Sequence, residues 1–211
     1  KGMKIVALGC SAQLHHAEVT ERKRNLDEAK RFIDLAHQLN CPYIRVFPNN
    51  FPKDQERNRS IDLIVEGLDE LSDFAKGGSV CVLMETHGDV VWSSDLETIM
   101  KAVEHSNTGL VWDIHNMWEI TKEAPLAAYE KLKKYIRHVH IKDGKTFEGK
   151  LQYTLLGKGE SLIFEGIDAL HKGGYKSYYS FEWEKMWFPE LEEPEIALAD
   201  YPKVMKQHFN K

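Results

Sequence analysis

Short apolar runs alternate along this chain with longer stretches whose apolar positions recur every three or four residues. "MKIVALG" (3–9) reads as a first strand. The stretch 20–40 then carries Leu26, Ala29, Phe32, Ile33, Leu35, Ala36 and Leu39 at helical spacing. "YIRVF" (43–47) is a second strand, and a helix over 61–75 is stopped by "KGG". "SVCVLME" (79–85) is the third strand. The helix after it, 95–106, has Ser93 or Ser94 as its cap and Glu97 as the capping-box partner of Ser94. "TGLVWD" (108–113) and "IRHVHI" (136–141) are the fourth and fifth strands, separated by a helix over 126–135. A polar excursion, 142–160, precedes a helix over 164–173, and "YYSFEWE" (178–184) is the sixth strand. The last helix begins near Pro194, with Pro202 able to interrupt it.

Near-continuous apolar strands in strict alternation with helices predict a parallel sheet covered by helices. No segment repeats and no linker stands out, so residues 1–211 are read as one domain. The formal net charge of −5 argues against a nucleic-acid surface, and no apolar run approaches a membrane span. The odd count of three cysteines (Cys10, Cys41, Cys81) fits reduced thiols and a cytoplasmic location. "MKIVALGC" has the outline of an export signal, but Ile5 to Leu8 is too short for one and reads as strand.

The late strands end on titratable groups: "LMETHGD", "VWDIHN", "HVHIKD" and "FEWEK". Ligands of parallel α/β sheets bind at such carboxyl ends. Glu85, Asp113 and His140 follow one another at intervals a little under the roughly 31 residues of one unit in an eightfold barrel. Glu182 comes later by the length of the excursion. Side-chain alternation gives one face to Leu83, Glu85 and His87, and others to Asp113 with His115, His140 with Lys142, and Glu182 with Glu184. Three carboxylates and an imidazole are a ligand set for Mn²⁺, Mg²⁺, Co²⁺ or Zn²⁺. Without a cation the carboxylates would repel one another.

On "METHGD", "LVWDIHN", "HVHIKD", "LGKG" and "SFEWEK", the chain resembles the sugar phosphate isomerase/epimerase family, the xylose isomerase-like TIM barrels. The resemblance implies a (β/α)8 barrel with one divalent metal on Glu85, Asp113, His140 and Glu182; Glu184 has the same facing as Glu182. It also implies that Glu85 and Glu182 move protons beside a carbonyl that the metal polarises. His115 and Lys142 then contact the sugar, with His87 a further candidate, while His138 is a core or supporting residue. "LGKG" (156–159) is either a phosphate-binding loop or a tight turn, so a phosphorylated substrate stays open. Trp118 and Trp187 are candidate apolar walls, whereas the parity of Trp112 and Trp183 points them at helices.

Only six strands are recognisable, against eight in a complete member, and the first looks like the family's third. The chain is therefore expected to lack two βα units at its N-terminus, as a fragment, a shortened homologue, or a chain whose gap is filled by a partner chain, as in a homo-oligomer. The implied function is metal-dependent isomerisation or epimerisation of a ketose or sugar phosphate. The alternatives are a dehydratase of inosose or dehydroshikimate type, an endonuclease IV-like nuclease, and a non-catalytic binding module.

Overall fold

The computed structural model describes residues 2–103 and 105–210, which fall into two compact units. The first unit comprises the described residues of 1–112 and 131–138, and the second those of 113–130 and 139–211. One six-stranded sheet has the order β1-β2-β3-β4-β5-β8, and a separate hairpin pairs β6 with β7. Its strands are β1 (Leu8–Gln13), β2 (Tyr43–Phe47), β3 (Cys81–Glu85), β4 (Thr108–Asp113), β5 (Ile136–Ile141) and β8 (Tyr179–Phe181). The pairings β1–β2, β2–β3, β3–β4 and β5–β8 are parallel.

In the first unit, α1 (Val19–Gln38) buries Leu26, Ala29, Ile33 and Ala36, the stripe that the sequence spacing predicted. It starts at Glu18, whose carboxylate accepts from the Thr20 and Glu21 amides and so satisfies donors the helix leaves unpaired. The helix α2 (Arg57–Phe74) begins earlier than expected and buries Leu63, Ile64, Leu68 and Leu71. Gly67 lies in mid-helix because Leu14 packs there: a Cβ would stand 3.2 Å from Leu14 Cδ2. Every residue of β4 is buried, and Ser72 Oγ lies 2.5 Å from Thr108 Oγ1 where the strand starts.

Two expectations are corrected here. The first strand is Leu8–Gln13 rather than 3–9; Met3 is 93% exposed, while Cys10 and Ala12 are fully buried. Its alternation is carried by short side chains, and hydrogen bonding to β2 (Leu8 beside Ile44, Gln13 beside Phe47) decides the register. The helix α3 (Ser93–Ala102) is preceded by Trp92 without a side-chain cap. Ser93 is already helical, and its hydroxyl accepts from Lys131 Nζ at 3.0 Å. Of the expected continuation to 106, position 104 lies outside the described residues.

In the second unit the excursion 142–160 contains a hairpin, β6 (Asp143–Phe147) and β7 (Lys150–Thr154). Glu148 and Gly149, both at positive φ (50° and 74°), make the two-residue turn between the paired Phe147 and Lys150. The helices are α4 (Ile114–Thr121), α5 (Pro125–Leu132, which continues into the first unit), α6 (Ile163–Lys172) and α7 (Pro194–Phe209). α7 runs through Pro202 without ending. No helix among the described residues is long and apolar enough to cross a membrane.

Cys10 supplies a pH prediction. Burial pushes its thiol up to about 11 from the ordinary 9.0. The unfolded chain therefore loses this proton first as pH rises, and folding stability falls between about pH 9 and 11. Denaturant unfolding should show Cys10→Ala losing less stability than the parent between pH 8 and pH 10; equal losses would contradict this.

Candidate metal centre

Asp113 is both the last residue of β4 and the cap of α4. Its Oδ1 accepts from the Asn116 amide at 2.8 Å, which fixes the carboxylate where strand turns into helix. His140 pairs with Ser180 across β5 and β8. One step beyond the β8 strand, the Glu182 amide donates to the Ile141 carbonyl at 3.0 Å, so the ladder itself places this glutamate. Within the second unit Asp113, His140 and Glu182 each offer one ligand atom, and these atoms lie within 4.8 Å of one another.

An ammonium sits among them. Lys142 Nζ is 2.9 Å from Asp113 Oδ2, 2.9 Å from Glu182 Oε2 and 3.1 Å from Glu184 Oε1. Burial opposes its charge, but the three carboxylates overcome that and hold its pKa well above the ordinary lysine value. Burial likewise favours a neutral Glu182. The hydrogen bond from His140 (Nδ1 to Oε1, 3.1 Å) and the Lys142 charge outweigh it, and the carboxyl stays well below its usual range. Three carboxylates against one ammonium leave these four side chains with two net negative charges, which suits a divalent cation.

The surroundings are aromatic and largely buried. His115, which the sequence placed on the β4 alternation, lies in α4, fully buried, with Nδ1 2.7 Å from Ser161 Oγ. Burial lowers its pKa. Tyr153 of β7 lies 5.5 Å from the His115 ring and 5.0 Å, edge-on, from Phe188, and Lys142 Nζ stands 5.8 Å from its centroid. Burial pushes the Tyr153 hydroxyl up to about 12. Trp187 is 71% exposed, whereas Trp183 Nε1 donates to the Glu192 carbonyl.

The first unit holds Glu85 at the end of β3, 2% exposed, with Arg45 Nε 3.2 Å from its Oε2. Arg45 lies beside Leu83 in the β2–β3 register, and its guanidinium stacks 3.9 Å above Phe47. The His87 ring is 4.5 Å from the same Phe47. His138 is buried in this unit, 6.2 Å from Tyr43.

The second unit thus brings together Asp113, His140, Lys142, Glu182 and Glu184, with His115 held by Ser161. Sequence reasoning gave no role to Arg45, Asp143, Tyr153 or Ser161. Arg45 shares its alternation with Phe47 in "YIRVF", which was a usable signal; Tyr153 and Ser161 lie in a segment without periodicity.

The family model for the xylose isomerase-like TIM barrel matches residues 1–207. No curated protein matches the chain in sequence. Among solved structures, an IOLI protein with a bound zinc atom is 20% identical, with a TM-score of 0.82 over 97% of this chain and 76% of that one. The 3-keto-D-glucoside 4-epimerase YcjR from E. coli is 12% identical, with a TM-score of 0.78 over 100% of this chain and 80% of that one. The probable 3-DHS dehydratase AsbF from Bacillus anthracis is 18% identical, with a TM-score of 0.75 over 96% and 76%. At these identities the likeness is one of fold.

Proposed function

Because the chain belongs to the xylose isomerase-like TIM-barrel family, we propose that it is a divalent-metal-dependent isomerase or epimerase of a small ketose or related polyol. The observation that carries this reading is the convergence of Asp113, His140 and Glu182 ligand atoms within 4.8 Å around a net negative charge. In this reading those three residues hold the ion and Glu85, ending β3, is the fourth ligand. The donor set suits Mn²⁺, Mg²⁺, Co²⁺ or Zn²⁺.

When bound, such an ion supplies Lewis-acid polarisation of a carbonyl and the hydroxyl beside it. The side chains do the rest. Glu182, ionised at neutral pH, takes the proton from the carbon next to that carbonyl. Glu85 is the second proton carrier of this reading. Tyr153 and Phe188 present the apolar edge on which a sugar ring or chain can lie.

The test has two arms. The chain should bind close to one divalent ion, and His140→Ala, with folding checked by circular dichroism, should lose it. With that ion and a panel of ketoses in heavy water, deuterium should enter the carbon beside the carbonyl of one substrate. A folded chain that takes up no ion from Mn²⁺, Co²⁺ or Zn²⁺ solutions and exchanges no proton would sink the proposal. Exchange followed by loss of water instead marks the dehydratase alternative, since elimination starts with the same proton abstraction.

A further inference from the structure

Asp143 follows Lys142 in the chain and is engaged differently. Its buried carboxylate is held by backbone amides: Oδ1 accepts from Gly144 at 2.8 Å, and Oδ2 from Gly157 at 2.8 Å and Gly159 at 3.1 Å. The last two belong to "LGKG". The loop is drawn in further by the Lys158 amide on the Leu155 carbonyl (3.0 Å) and the Glu160 amide on the Gly144 carbonyl (2.8 Å). Only glycine lets it close this far, since a Cβ on residue 159 would stand 2.2 Å from Asp143 Oδ1.

Amides converging from a glycine-rich turn are the usual donors for a bound anion, and the Lys158 side chain adds positive charge to the same loop. Here the anion is built in. The loop ends at Ser161, whose Oγ lies 2.7 Å from His115 Nδ1 and 3.4 Å from the Gly144 carbonyl. The Asp143 carboxylate therefore fastens both sides of this path: Gly144 directly, and Ser161 through the loop.

We infer that Asp143 is a positioning residue that fills the anion nest of loop 155–161, so that the substrate carries no phosphate at this loop. This rests on the isomerase reading and narrows it to a sugar or polyol unphosphorylated at that end. A phosphate would need the amides of Gly157 and Gly159, and would meet a second anion within hydrogen-bond distance in a buried place. The same clamp keeps Ser161 against His115.

The probe is inorganic phosphate, added to the isotopically labelled full chain without added metal. In the wild type the Gly157 and Gly159 amide resonances should move no more than in chloride of equal ionic strength. In Asp143→Ala the two amides lose their acceptor, and phosphate should shift them saturably and raise the melting temperature by several degrees over chloride. If the variant does not fold in chloride, refolding that occurs in phosphate is the same result. Saturable movement of both amides in the wild type overturns the inference, as does a folded variant indifferent to phosphate. Neither readout uses the metal or turnover, so this failure leaves the isomerase proposal standing. Failure of the exchange experiment, conversely, leaves the clamp in place.

Discussion

Lys142→Met lowers the stability of the metal-free chain by roughly 3–5 kcal/mol, the typical cost of removing one partner from a buried ionic cluster. Its Nζ is the cation shared by Asp113, Glu182 and Glu184, and Asp113 is fully buried. Without it, those carboxylates must repel one another or take up protons. Methionine fills most of the stem's volume, so the loss is electrostatic rather than a cavity effect. A divalent ion restores what the ammonium supplied: the deficit should shrink when Mn²⁺ or Zn²⁺ replaces chelator in the denaturant titration. An unchanged unfolding midpoint in chelator would mean that the cluster is solvated and the ammonium dispensable. A deficit that no divalent ion relieves would count against a cation site among these residues.

Glu182→Gln should lower the rate of proton exchange at the substrate carbon by about 10²- to 10⁴-fold, the usual contribution of a positioned general base. Glutamine keeps the shape but cannot take the proton. It also weakens the ligand set, so metal content has to be measured in the same sample and the ion kept saturating. Glu184→Gln is the informative control. Both glutamates contact Lys142, and Glu182 bonds His140 as well, so the Glu184 variant should lose far less. The reverse order of effects would transfer the proton-carrying role to Glu184.

Much of the sheet was legible because its strands are short runs rich in β-branched, aromatic and other apolar residues. "YIRVF", "TGLVWD" and "IRHVHI" become strands with the same bounds, since such residues favour a pleated, buried position even with an Arg or His among them. The clustering of Asp113 with His140 was legible from the same runs. Asp113 and His140 lie at the ends of such strands, where a charged side chain needs a partner. β1 was misplaced because Cys10 and Ala12 are too small to make an apolar run visible, and hydrogen bonding to β2 decides the matter instead. The β6–β7 hairpin was read as loop because its turn is Glu-Gly, not Asn-Gly, and the buried positions of its strands, Asp143 and Gly144, carry no apolar side chain. Helix α4 escaped because its cap, Asp113, had already been read as a strand-end ligand. Lys142 was read as a sugar contact; its partnership with three carboxylates is one that spacing alone does not specify.

The double duty of Asp113 ties the acidic cluster to the start of a helix. Oδ1 accepts from the Asn116 amide at the first turn of α4, and Oδ2 faces the Lys142 ammonium. A carboxylate held at both oxygens has lost its rotational freedom when the chain folds. Any cation taken up by the proposed centre would therefore meet an acid already aimed, with little further ordering to oppose binding.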